Sequence, residues 1–117
     1  MNKYLKQILT KLNITAEEDP VVNEQAVLIY FNYNLESLDP FYNLVDQLRI
    51  CIEENNLGEY DGHEMAMDQS DGSFYMYSPD ALNLFNNIQP ILRETDFLKK
   101  AEVVIRYDDE KMERIIL

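Results

Sequence analysis

What most limits the fold of this chain is the order in which its local patterns alternate. Residues 26–33 (AVLIYFNY) form a short run of β-branched and aromatic residues, the composition of a strand. Asp39-Pro40 then opens a stretch in which Phe41, Leu44, Val45, Leu48, Cys51 and Ile52 recur at three- and four-residue steps, so a helix is predicted. Asp39 is expected to cap its free amides, with proline at the first helical position and Asn55, Asn56 and Gly58 as the stop. Segments 59–67 and 73–77 read as a hairpin closed by Asp68-Gln-Ser-Asp-Gly72, with Asp71-Gly72 as the turn signal. Ser78-Pro79 repeats the cap-plus-proline device before Ala81, Leu84, Phe85, Ile88, Ile91 and Leu92, which share one face. Pro90 should end or kink that second helix near Gln89. Segment 101–107 (AEVVIRY) is a last strand.

The order β-α-β-β-α-β is that of the ferredoxin-like split βαβ, an α+β fold. It predicts a four-stranded antiparallel sheet over 26–107 with two helices on one face. Right-handed crossovers would set the first and last strands side by side in the middle. The chain has 117 residues and is read as a single domain. An extra amphipathic helix is expected within 1–16, where Leu5, Ile8, Leu9 and Leu12 make a stripe, and residues 108–117 are a tail or a short strand.

Strand alternation then divides the side chains. Val27, Ile29, Phe31, Tyr33, Phe74, Met76, Val103 and Ile105 suit the core. Leu28, Tyr30, Tyr75, Tyr77 and Val104 point to the face the helices leave open. The second strand is ambiguous, because neither of its faces is cleanly apolar. The open face would serve as a binding surface, be covered by the apolar stripe of segment 2–13, or be buried in a homodimer.

Charge is lopsided along the chain. The net charge is −12; residues 1–16 carry +3, and residues 17–80 hold fifteen acids against Arg49 alone. This argues against a direct nucleic-acid binder and against docking on anionic membranes. A run of about eighteen apolar residues, as a membrane span needs, is absent. The N-terminal residues lack a signal-peptide pattern, which makes a cytoplasmic location the expectation. The single cysteine, Cys51, excludes an intrachain disulfide and is read as core packing.

No catalytic signature stands out, and no cofactor is expected. Glu59, Asp61 and His63 would share one face of the second strand, and with Glu64 they are the weak candidates for a metal site or for acid–base chemistry. The plainer reading is a bulge at Gly62 beside a hydrogen-bonded or exposed histidine. Asp68-x-Ser70-Asp71-Gly72 lacks the terminal bidentate Glu of a calcium loop. The acidic segment points elsewhere, to a surface shaped for a basic protein, with solubility as the bland alternative. Its expected contacts are Glu59, Asp61, Glu64, Asp68 and Asp71, with Tyr75 and Tyr77 as aromatic anchors.

The runs GEYDGHE at 58–64, DGSFYMYSPDALNLF at 71–85 and AEVVIRY at 101–107 resemble a set of small acidic bacterial proteins. That set pairs a GE-x-DG-x-E strand with a YMYGPDAD-x-LF strand-to-helix junction. Here Ser78 stands in place of Gly and Leu82 in place of Asp, and the likeness implies no catalytic residue. In architecture and charge alone, the chain is similar to immunity proteins of bacterial toxin systems and to the inhibitor of ribonuclease E that acts through a ferredoxin-like domain. The expected function is therefore a non-enzymatic immunity or inhibitor protein for a basic toxin or nuclease. The alternatives are a small enzyme built on Glu59, Asp61, His63 and Glu64, or a regulatory domain that dimerises through helix 2–13.

Overall fold

The computed structural model describes residues 24–117; the helix expected within 1–16 lies outside them. In chain order the elements are β1 (Gln25–Asn32), α1 (Asp39–Glu54), β2 (Glu59–Met65), β3 (Asp71–Ser78), α2 (Ala81–Arg93), a 3-10 turn (Asp96–Leu98), β4 (Glu102–Arg106) and β5 (Met112–Ile116). The strands form one antiparallel sheet in the order β2-β3-β1-β4-β5. This is an α+β fold with five strands where four were expected, because Met112–Ile116 adds to the outer side of β4. β1 and β4 pair as expected, but β1 alone is the middle strand, between β3 and β4.

Both helices lie on one side of the sheet because their apolar stripes and one set of strand side chains need the same burial. Phe41, Leu44, Val45, Leu48 and Ile52 of α1 and Ala81, Leu84, Phe85, Ile88 and Leu92 of α2 are buried. They join Val27, Ile29, Phe31, Phe74, Met76, Val103 and Ile105 in one core cluster. At about 1.5–3 kcal/mol per fully buried large side chain, this cluster outweighs any local preference of its elements.

Several local signals act one or more residues from where they were placed. Asp39 is the first residue of α1 and makes no side-chain cap; the Ser37 hydroxyl oxygen accepts its N–H instead. α1 stops as expected. Asn56 adopts φ +53, Leu57 N–H bonds to the Ile52 carbonyl, and Asn56 N–H bonds to that of Glu53. These are the two hydrogen bonds of a Schellman motif, sealed by buried Leu57 against Ile52. The cap of α2 is Asp80, whose carboxylate accepts from Asn83 N–H, and not Ser78. Ser78 is buried and donates to the Leu57 carbonyl. Pro90 neither ends nor breaks α2, which continues to Arg93.

The β2–β3 turn lies earlier than Asp71-Gly72, which belong to β3. Its left-handed residue is Gln69, at φ +60, and Ala66 N–H closes it on the Asp71 carbonyl. Gly72 is required for another reason: a Cβ there would sit 2.8 Å from the Phe31 ring and 2.7 Å from the Glu64 carbonyl.

Candidate functional site

The side of the sheet away from the helices is the open face, and the strand register fixes what stands on it. One row across the sheet runs Glu59, Tyr77, Ala26, Arg106, Met112. The next runs Gly62, Tyr75, Leu28, Val104, Arg114, and a third Glu64, Ser73, Tyr30, Glu102, Ile116. Tyr75 and Tyr77 therefore share this face with Leu28, Tyr30 and Val104, two residues apart along β3.

The polar groups here are linked. Ser73 is buried, and its hydroxyl donates to the Tyr75 hydroxyl (2.8 Å), which donates to Glu64 Oε1 (2.8 Å). The bond from Ser73 lowers the Tyr75 phenol, but the Glu64 carboxylate and partial burial outweigh it, and the net direction is upward. Tyr77 is raised chiefly by burial and next by the charge of Asp61, with Arg106 opposing. Both phenols stay neutral donors near neutral pH, aimed among carboxylates. A concavity of about 870 Å³ opens here, lined by Tyr30, Ser73, Tyr75, Glu64, Lys100 and Glu102 among others. Asp71 also lines it, whereas Asp68 stays in the β2–β3 loop. The Asp68 carboxyl is held below its usual range by hydrogen bonds from Ser70, so it shapes the turn.

The expected trio Glu59, Asp61 and His63 is split. β2 carries a bulge between Tyr60 and Gly62, which leaves Asp61 without a partner on β3 and reverses the alternation beyond it. His63 pairs with Phe74 and meets the Phe41 ring edge-on at 5.0 Å, on the helix side. Glu59 and Glu64 face the other way. Among the described residues no group of three His, Cys, Asp or Glu side chains converges on a point. His63 is thereby separated from Glu59 and Glu64, which stay on the open face.

On the helix side, the Tyr60 hydroxyl lies 2.6 Å from His63 Nδ1, and the Arg49 guanidinium sits over the Tyr60 ring at 5.1 Å. Burial drives the Tyr60 phenol well above its usual range, against the pull of Arg49. The phenol therefore keeps its proton, and as both donor and acceptor it bonds Nδ1 in either imidazole tautomer. Burial and then Arg49 lower the His63 imidazole below its ordinary value. Cys51 is half-buried against the core, its Sγ 3.9 Å from the Asn87 carbonyl of α2.

Sequence reasoning missed Ser73 as the origin of the hydroxyl chain. The signal was present, because Ser73, Tyr75 and Tyr77 alternate on one face. It also took the acids as one surface. Asp46, Glu53 and Glu54 are exposed on α1, in the opposite layer from Glu59 and Glu64. On the open face the β4–β5 half carries Arg106 and Arg114, the latter paired with Glu102. Among the described residues of this face, the acids are concentrated on the β2–β3 half.

The chain matches no protein-family model and no curated protein. A solved structure described as the crystal structure of PH0061 is similar over 96% of this chain and 72% of its own, at 14% identity and a TM-score of 0.44. Among the described residues no helix is long and apolar enough to cross a membrane.

Proposed function

We propose that this chain is a non-enzymatic protein-binding domain whose β2–β3 half of the open face receives a basic protein. The observation that carries the reading is the placement of Glu59, Asp61 and Glu64 beside Tyr75 and Tyr77. Tyrosines give large rigid contact area at low entropy cost, and carboxylates around them steer a cationic partner and fix its register. Asp71 extends the acidic rim along β3, and Asp68 stands at the adjoining turn. Of the three runs behind the resemblance to small acidic bacterial proteins, one covers β2, one runs from β3 into α2 and one covers β4, so two of them include the strands of this half of the face. Read as a ferredoxin-like unit of β1 to β4 with β5 appended, the domain fits an immunity or inhibitor protein acting in the cytoplasm on a basic toxin or nuclease.

The test separates this face from bulk charge. Immobilised full-length chain is used to capture its partner from native extract, and association is then timed by surface plasmon resonance. Glu59→Lys/Glu64→Lys should slow association about tenfold or more and flatten its salt dependence. Asp46→Lys/Glu53→Lys changes net charge equally on the helix side and should leave the rate within about twofold. Equal losses from the two pairs would overturn the reading.

A further inference from the structure

A five-stranded sheet has two edges, and here they are unlike. Along β2 the bulge at Asp61 breaks the ladder, and Glu59, Asp61 and Glu64 line it with like charge. Broken ladders and charged edge residues are how an edge is kept from pairing with another chain. β5 also carries charge, Glu113 and Arg114, but these are of opposite sign and on opposite faces, and its ladder is intact. Its register against β4 is unbroken from Glu102↔Ile116 to Arg106↔Met112, with no glycine or proline.

The direction of its backbone groups follows from the pairing. Tyr107 N–H bonds to the Lys111 carbonyl, and Leu117 N–H bonds to that of Ala101. Bonding residues alternate along an antiparallel strand, so Lys111, Glu113, Ile115 and Leu117 turn toward β4. The N–H and C=O groups of Met112, Arg114 and Ile116 then point off the sheet. Their side chains stand on the open face, and Met112 and Ile116 are 60% and 59% exposed.

We propose that β5 is the seat of a two-fold dimer, in which β5 of one protomer pairs antiparallel with β5 of a second copy about Arg114. Two five-stranded sheets then join into one of ten. A two-fold contact must be self-complementary, and this strand is. Centring on Arg114 sets Met112 opposite Ile116 of the other copy and Ile116 opposite its Met112, while a shift of two residues leaves one apolar end unmatched. The one like-charged contact, Arg114 against Arg114, is relieved because each is paired with Glu102 of its own chain. The strand ends match as well. Asp108, Asp109 and Glu110 precede β5, whereas Lys99 and Lys100 stand at its far end, where Lys100 N–H bonds to the Leu117 carbonyl. Antiparallel pairing brings the acidic end of one copy beside the basic end of the other. The β2–β3 half lies at the opposite edge of the sheet, so the dimer leaves both acidic tyrosine surfaces free.

Sedimentation velocity of the full chain tests this between about 1 and 200 µM. The mass should rise from monomer to dimer, and Met112→Lys/Ile116→Lys should remain monomeric throughout while keeping its circular dichroism spectrum. Ile116→Thr, a milder change at an exposed position, should weaken the dimer several-fold. Amide exchange reads the pairing itself: the N–H groups of Met112, Arg114 and Ile116 should slow as concentration rises, and those of β2 should not. A wild-type chain that stays monomeric at 200 µM, a lysine variant that dimerises as tightly as wild type, or a dimer without protection in β5 would each overturn the proposal.

Discussion

At the scale of single residues, His63 makes the sharpest contrast between what its neighbours in sequence suggest and what surrounds it. Beside Glu59, Asp61 and Glu64 it looks like a metal or acid–base candidate, with a hydrogen-bonded or exposed strand residue as the plainer reading. The groups that face it are the Tyr60 hydroxyl, the Phe41 and Tyr42 rings and the Arg49 guanidinium; burial among them, and next the Arg49 charge, favour the neutral ring. Its folded pKa is therefore lowered below the unfolded value of 6.5. Under linkage, the unfolded chain binds the proton more readily, so the stabilisation is present above the unfolded pKa and is lost as pH falls through the folded one. Urea denaturation at pH 7.5 and 5.5 should show wild type losing more stability on acidification than His63→Gln. The difference between the two proteins isolates the imidazole from the many carboxylates. Parallel losses would mean that His63 does not couple protonation to folding. The sequence signalled the bulge at Gly62 and a hydrogen-bonded histidine, but not the face on which His63 stands, because that depends on a relation between two strands.

At the scale of elements, the patterns that were legible are those set by burial. The three- and four-residue spacing of α1 and α2 and the alternation of β1, β3 and β4 each have one face in the core, so each leaves a one-sided apolar trace. β5 leaves none: Met112 and Ile116 are exposed and Ile115 only half-buried, and it is a strand because β4 supplies the ladder. Caps and turns were displaced for a different reason. Ser37, Asp39, Ser78 and Asp80 are all chemically able to cap, and three-dimensional packing selects among them. Pro90 is the case where a local rule gives way to packing. It costs about 3 kcal/mol inside a helix. However, Leu84, Phe85, Ile88 and Leu92 are all buried against the sheet and hold α2 through it. Pro90 itself is exposed, so the Asn86 carbonyl it cannot serve lies on the solvent side of the helix. Pro90→Ala should restore that hydrogen bond and raise stability by about 1–3 kcal/mol, read as a higher urea midpoint at unchanged slope. An unchanged or lowered midpoint would show that proline costs α2 nothing there. The open-face tyrosines were legible by alternation alone, whereas the bulge that separates Glu59 from His63 was signalled only by Gly62, and no pattern gave the direction in which it turned the strand.

At the scale of the whole molecule, the charge of −12 acts on folding itself. With acids on both layers, folding brings like charges closer together, and screening should relieve that repulsion. Glu54 concentrates the effect. It is the last residue of α1, where the helix's partial negative charge adds to its own, and the last turn of that helix holds no base. Glu54→Lys removes both unfavourable terms and should stabilise the chain by about 1 kcal/mol at low ionic strength, about 4–8 °C in melting temperature for a domain near this size. The benefit should shrink in 0.5 M sodium chloride. Wild type should itself melt higher in that salt than in 0.02 M, whereas sucrose at matched osmolality controls for general exclusion effects. The measurement is made at low micromolar protein, so that a concentration-dependent dimer through β5 does not add its own salt response: two copies of net charge −12 also repel, and their association should tighten as salt rises. A melting temperature indifferent to salt in wild type, with Glu54→Lys gaining equally in both buffers, would mean that the surplus charge is spaced widely enough to cost the fold nothing. Its effect would then be confined to what the open face meets.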